Sequence, residues 1–175
     1  MTYTILIADD NVSNLDLVQF ILNPGADEYE FYTTTNGKDA VSLATEHNPD
    51  LILLDWHMPE MTGIQALTKL KKNPQTKDIP VLIITGDPTE LNIGLAFNAG
   101  ARDYLRKPFN EIELTARVKA ALKEGYYKKN LLEPLQEVQN LCQKANDSIN
   151  NGNTDGISKI IIECNDKIKT IIKDL

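Results

Sequence analysis

Cysteine and histidine are scarce in this chain, with two of each in 175 residues. Cys142 and Cys164 lie far from His47 and His57, so no spacing typical of a zinc site is present. Long apolar runs are also missing. The longest, such as Leu51-Ile52-Leu53-Leu54, have four residues, against the ~20 that a membrane-spanning helix needs. The chain enters an apolar run at once, without a basic segment and apolar stretch of the signal-peptide kind, so a cytoplasmic protein is expected. Positive charge is in deficit. Residues 1–124 carry 18 acids and 11 bases, residues 125–175 carry seven of each, and the net charge is −7. No basic face is available to neutralise phosphates, so nucleic-acid binding is not expected.

What the chain does have is a regular alternation. Strand-like runs at 4–8, 29–34, 51–54, 81–85 and 103–106 are separated by helical patterns at about 13–22, 37–47, 63–72, 89–99 and 111–123. Asn23-Pro24-Gly25 closes the first helix, Asn36-Gly37 opens the second and Asn73-Pro74 stops the third. Strand and helix in strict succession predict an α/β fold: a parallel sheet with right-handed crossovers and helices on both faces.

Polar residues follow directly on these strands. Asp9 and Asp10 come after Ile5-Leu6-Ile7-Ala8, Asp55 after Leu51–Leu54, Thr85 after Val81–Ile84 and Lys107 after Tyr104-Leu105-Arg106. In an open α/β sheet the carboxyl ends of the strands border one ligand crevice. Asp9-Asp10 alone could be a turn or a helix cap. With Asp55 added, three close carboxylates would resist ionisation unless a cation neutralised them. A hard divalent ion such as Mg²⁺ suits oxygen ligands. Lys107 adds positive charge and Thr85 a hydroxyl for a phosphoryl group, toward which a carboxylate can act as nucleophile.

Four motifs in this order carry a resemblance: Ala8-Asp9-Asp10; Asp55-Trp56-His57-Met58-Pro59 with Gly63; Ile84-Thr85-Gly86; and Asp103-Tyr104-Leu105-Arg106-Lys107-Pro108-Phe109. Over about residues 3–123 the chain resembles the receiver domain of two-component response regulators, the family that includes the bacterial chemotaxis regulator. The resemblance implies a five-stranded sheet of order 2-1-3-4-5. It implies that Asp55 accepts a phosphoryl group from a histidine kinase or phosphotransfer protein, and that the chain's own catalysis is limited to self-phosphorylation and dephosphorylation. Asp10, Asp55 and the backbone carbonyl of His57 would bind Mg²⁺, with Asp9 acting through water. Thr85 and Lys107 would contact phosphoryl oxygens, and Thr85 and Tyr104 would switch together. Lys107-Pro108 is a candidate cis bond. For the side chains of His57, Trp56 and His47, the plain readings are an exposed loop residue, a packing or partner-contact residue, and a helix C-terminal residue.

Residues 125–175 differ in kind. Leu131, Leu135, Val138, Cys142, Ala145 and Ile149 are spaced 4-3-4-3-4, and Ile157, Ile161, Cys164, Ile168, Ile171 and Leu175 repeat the pattern. Such seams predict two packed helices. Pro134 places the start of the first near Leu132 or Glu133, with Tyr126 to Leu131 a linker or a kinked extension of the preceding helix. The Asn150-Asn151-Gly152-Asn153 turn, with Asn153 or Thr154 as a cap, folds them into an antiparallel hairpin. Its seam partners share a residue-number sum of 306, and Cys142 and Cys164 share a layer as small apolar residues. Leu132, Leu141, Ile160, Ile162 and Ile172 lie off this seam and are candidates for a second contact.

The expected organisation is therefore a phosphoacceptor domain at 1–124 and a helical hairpin at 125–175, which would form a homodimer or dock a helical partner. The hairpin has no histidine and cannot pass on a phosphoryl group as a histidine module. It also lacks the strands and basic recognition helix of a winged-helix output. Two alternatives differ in class. The chain could be the front portion of a longer regulator with an enzymatic output. A metal-dependent phosphatase with an aspartyl nucleophile would instead want Asp-x-Asp after the first strand, where this chain has adjacent acids.

Overall fold

The computed structural model describes residues 2–23, 29–86, 89–151 and 156–173. The chain divides into two compact units, Met1–Leu122 and Lys123–Leu175. In the first, β1 (Tyr3–Ala8), β2 (Tyr29–Thr34), β3 (Leu51–Asp55), β4 (Val81–Thr85) and β5 (Asp103–Arg106) form one sheet of order β2-β1-β3-β4-β5. Every pairing is parallel. Between the strands run α1 (Val12–Leu22), α2 (Gly37–His47), α3 (Gly63–Lys72) and α4 (Glu90–Asn98), and α5 (Glu111–Tyr127) follows the last.

Successive strand side chains point to opposite faces, so each apolar run serves two cores. Ile5, Ile7, Leu51, Leu53, Leu82 and Ile84 pack with Leu15, Val18 and Leu22 of α1 and Leu114 and Val118 of α5. Leu6, Ala8, Ile52, Leu54, Val81 and Ile83 face the other way, onto Ala40 and Ala44 of α2, Leu67 and Leu70 of α3 and Ala96 of α4. Full burial of each Leu or Ile contributes about 1.5–3 kcal/mol, which fixes the register of the inner strands. The chain changes face between β1 and β3, and that reversal opens the crevice at their carboxyl ends.

The helix starts follow local chemistry. The Asn11 side chain accepts from the Ser13 N–H, that of Asn36 from Asp39 and that of Thr89 from Asn92. Thr62 and Gln65 cap each other's backbone at α3. Asn73 caps the end of α3, as the Asn-Pro signal predicts. Pro24 and Gly25 lie outside the described residues.

In the second unit, α6 (Glu133–Asn150) and α7 (Ile157–Lys173) pack against each other. Lys128–Leu132 adopts π-helical hydrogen bonding, so the segment before Pro134 is a modified helix and not a linker. A proline has no N–H to give, and it stands in the first turn of α6, where none is needed. Two cross-helix contacts set the direction: Glu137 pairs with Lys167, and the Cys142 and Cys164 thiols meet. Moving up α6 while moving down α7 makes the pair antiparallel. Asn153 and Thr154 lie outside the described residues.

The inward rows differ from the expected seam. Pro134, Val138, Leu141, Ala145 and Ser148 are the buried or half-buried positions of α6, with Leu131 half-buried in the π-helical turn before it, and Ile157, Ile160, Cys164, Lys167 and Ile171 those of α7. Leu135, Cys142, Ile149, Ile161 and Ile168, placed in the seam by sequence, are exposed. Leu141 and Ile160, placed off it, turn inward. Each helix carries apolar side chains in three adjacent rows, and a two-helix layer can bury only two of them. The row of Pro134, Leu141 and Ser148 turns inward, and the row of Leu135, Cys142 and Ile149 is left outside.

Candidate functional site

Parallel strands deliver Asp9, Asp55, Thr85 and Lys107 to the same edge of the sheet. Asp55 ends β3, Thr85 ends β4, and Lys107 follows β5, where its N–H donates to the Thr85 carbonyl at 2.7 Å. Asp9 follows β1 and donates its N–H to the Thr34 carbonyl of β2 at 3.2 Å. The carboxylates of Asp9, Asp10 and Asp55 offer oxygens within 4.8 Å of one another. Asp9 and Asp55 are buried, and Asp10 stands exposed at the rim.

Lys107 ties the group together. Its Nζ donates to Asp9 Oδ2 and to Asp55 Oδ1, both at 2.6 Å. Burial draws the ammonium down, but the bonds to Asp55 and Asp9 outweigh it, so its pKa lies above the ordinary lysine value. At Asp55 burial dominates and pushes the carboxyl above the ordinary carboxylate range, against the downward pull of Lys107. The His57 N–H donates to Asp55 Oδ2 at 2.9 Å. Each Asp55 oxygen thus has one donor and lone pairs to spare. Such a carboxylate is held in place and still able to bind a cation or attack an electrophile.

The expected site residues fall as follows. Asp9, Asp10, Asp55 and Lys107 form one cluster. Thr85 is buried at the adjoining strand end. His57 is exposed and offers its amide to Asp55, while Trp56 is buried behind it. Tyr104 is half-buried and meets Phe97 of α4 edge-on, with ring centroids 6.1 Å apart. The Lys107-Pro108 bond is cis. His47 stacks on Tyr32, away from these groups, at 3.9 Å between ring centroids.

Two supporting residues escaped sequence reasoning. Asn14, in the first turn of α1, donates from Nδ2 to Asp9 Oδ1 at 2.8 Å, and the Asn11 N–H donates to the same oxygen at 3.0 Å. With Lys107 on Oδ2, Asp9 is held from three sides. The five-residue spacing of Asp9 and Asn14 across a helix start carries no sequence signal, although Asn11 reads as a cap. Gly63 belonged to the motif without a stated role. A Cβ there would lie 2.0 Å from the Asp55 carbonyl oxygen. Its N–H donates to the Trp56 carbonyl at 2.9 Å, drawing the start of α3 against the loop after β3.

Comparison with known proteins gives the family. The response regulator receiver domain model matches residues 5–119. The phosphate regulon transcriptional regulatory protein PhoB of Pseudomonas aeruginosa is 38% identical over 120 residues, which is 69% of this chain and 52% of PhoB. The transcriptional regulatory protein SrrA of Staphylococcus aureus is 40% identical over 123 residues, 70% of this chain and 49% of SrrA. The chain spans about half the length of these curated relatives. A CheY-like response regulator receiver domain protein from Methanospirillum hungatei superposes with a TM-score of 0.67 at 27% identity, covering 73% of this chain and 99% of that one. Sheet order and sequence agree: the chain belongs to the response regulator receiver domain family.

Proposed function

We propose that Asp55 accepts a phosphoryl group from a phosphohistidine on a histidine kinase or phosphotransfer protein, and that the chain signals in the cytoplasm by changing its protein contacts. The supporting observation is the Lys107 ammonium, bridged between Asp55 and the fixed carboxylate of Asp9. In the transfer, an Asp55 oxygen forms the new bond to phosphorus as the donor's N–P bond breaks, and the imidazole keeps the electron pair. Lys107 stays anchored on Asp9 and turns its charge from the Asp55 oxygen to a phosphoryl oxygen. Thr85 gives its hydroxyl to another, and Tyr104 moves with it. The same site would use small phosphodonors and would hydrolyse its own acyl phosphate.

The donor set suits a divalent cation. Asp9, Asp10 and Asp55 are hard oxygen ligands in one cluster. The exposed Asp10 leaves a water-facing side, which suits Mg²⁺ because that ion keeps several waters. Asp10, Asp55 and the His57 carbonyl would hold it, with Asp9 acting through water. Bound there, Mg²⁺ would neutralise charge on the carboxylates and on the incoming phosphoryl group. In this reading residues 1–124 are the receiver, and 125–175 form an association element for a homodimer or a helical partner.

Incubation with acetyl phosphate and Mg²⁺ tests the proposal. One phosphoryl group should be incorporated, with none in Asp55→Asn and none in EDTA. Undiminished labelling of Asp55→Asn would reject the assignment.

A further inference from the structure

The hairpin has two flanks of opposite character. In an antiparallel helix pair, the positions that follow the inward rows on one side of each helix come together on one flank. Here that flank carries Leu135, Cys142 and Ile149 from α6 with Ile161 and Ile168 from α7. The opposite flank carries Glu137, Lys144, Glu163 and Thr170, and it holds the Glu137–Lys167 ion pair. The apolar flank is open: Leu135 is 45% exposed, Ile149 56%, Ile161 51% and Ile168 39%. Only Leu141, Cys164 and Ile171 of this unit's apolar side chains are buried among the described residues. Three apolar rows out of seven is the pattern of a helix in a bundle, not of a free pair.

We infer that a second copy of this chain covers the flank, giving a four-helix bundle built from Leu135, Cys142, Ile149, Ile161 and Ile168 of each hairpin. This rests on the reading of 125–175 as an association element. Three features favour a second copy over a foreign partner. The segment has equal numbers of acids and bases, so it calls for no oppositely charged surface. The flank is self-complementary, because α6 and α7 both repeat at seven-residue intervals and a two-fold axis lays one on the other. Its size also suffices. Helices of 18 and 17 residues give a face of roughly 26 Å by 20 Å, so two copies cover about 1,000 Å², the lower bound for a specific interface.

Sedimentation equilibrium of the full chain, with and without beryllofluoride and Mg²⁺, tests this. A mass twice the 19.6 kDa of the chain is expected at ~50 µM in at least one state. Ile161→Glu with Ile168→Glu should weaken association by on the order of a thousandfold, since charge would be buried without a partner. Ile162→Glu, exposed but off the flank, should stay dimeric. Helicity by circular dichroism checks that the double variant still folds. In wild-type protein, alkylation of Cys142 should be slow at high concentration and fast on dilution. A wild-type monomer in both states, a dimer that survives the double change, or concentration-independent alkylation would overturn the inference. Acetyl phosphate labelling of the same samples is read separately. If it stays on Asp55 in a monomer, the dimer fails alone; if it is absent, the receiver reading fails.

Discussion

The sheet unit and the hairpin reach order by different means. In the sheet unit each strand residue has one face to choose, and two stacked cores bury Ile5, Leu6, Leu51, Ile52, Leu53, Leu54, Leu82 and Ile83 to 1% exposure or less. A slip of one residue would move every side chain to the wrong core. In the hairpin three apolar rows compete for two inward places, and a slip of one row still buries apolar side chains. The first unit can therefore position charged groups to within a hydrogen bond. The second leaves apolar surface over, the surface proposed above to meet a second copy.

The largest expected effects lie in the sheet. Leu53→Ala removes a fully buried side chain from between β1 and β4 and should cost about 3 kcal/mol in urea unfolding followed by circular dichroism. The matching Leu141→Ala in the hairpin should cost about 1 kcal/mol, because that residue has fewer neighbours to lose and the next row can substitute. Equal losses would remove the distinction between the two units.

Next comes Lys107→Met. It leaves the buried carboxylates of Asp9 and Asp55 without their shared cation, a loss of about 3 kcal/mol at neutral pH. Mg²⁺ at millimolar concentration should restore part of that loss, read as a larger Mg²⁺-induced rise in melting temperature than in wild type. Phosphorylation of Asp55 should nonetheless fall, since the metal does not replace the ammonium on the phosphoryl oxygen.

Asp55→Asn should act in the opposite direction and more weakly, stabilising the fold at pH 7. Burial raises the folded-state pKa of Asp55 above its unfolded value. The folded state then holds that proton more tightly, so ionisation above the raised pKa costs stability, and the cost disappears as pH falls toward the ordinary carboxylate value. The advantage of the Asn variant over wild type should shrink in step on acidification. Smallest of all, Lys167→Met removes an exposed ion pair of the hairpin and should leave the melting temperature unchanged within error.

The sequence made the sheet and the site legible for one reason: position along a strand determines both face and end. Runs such as Leu51–Leu54 can only be buried strands between helices, and whatever follows them must emerge at the crevice. The boundaries of β2, β4, β5, α2 and α3 match the expected ranges to the residue. Contacts that depend on how helices seat on the sheet were not legible. Asn14 reaches Asp9 only because α1 starts where it does, and Gly63 is required because α3 approaches the Asp55 carbonyl. In the hairpin, Pro134 or Leu135, Leu141 or Cys142, and Ile160 or Ile161 satisfy the same periodicity, so the spacing could not choose between neighbouring rows.

The claim that this fixed edge of the sheet serves phosphoryl chemistry is tested most directly by locating the phosphoryl group. The full chain would be treated with acetyl phosphate and Mg²⁺ and then reduced with borohydride, which converts an aspartyl phosphate to homoserine. Peptide mass mapping follows. Homoserine is expected at position 55 and at neither Asp9 nor Asp10. Homoserine at either of those positions, or a phosphoryl group retained on a serine, threonine or histidine with Asp55 intact, would contradict it.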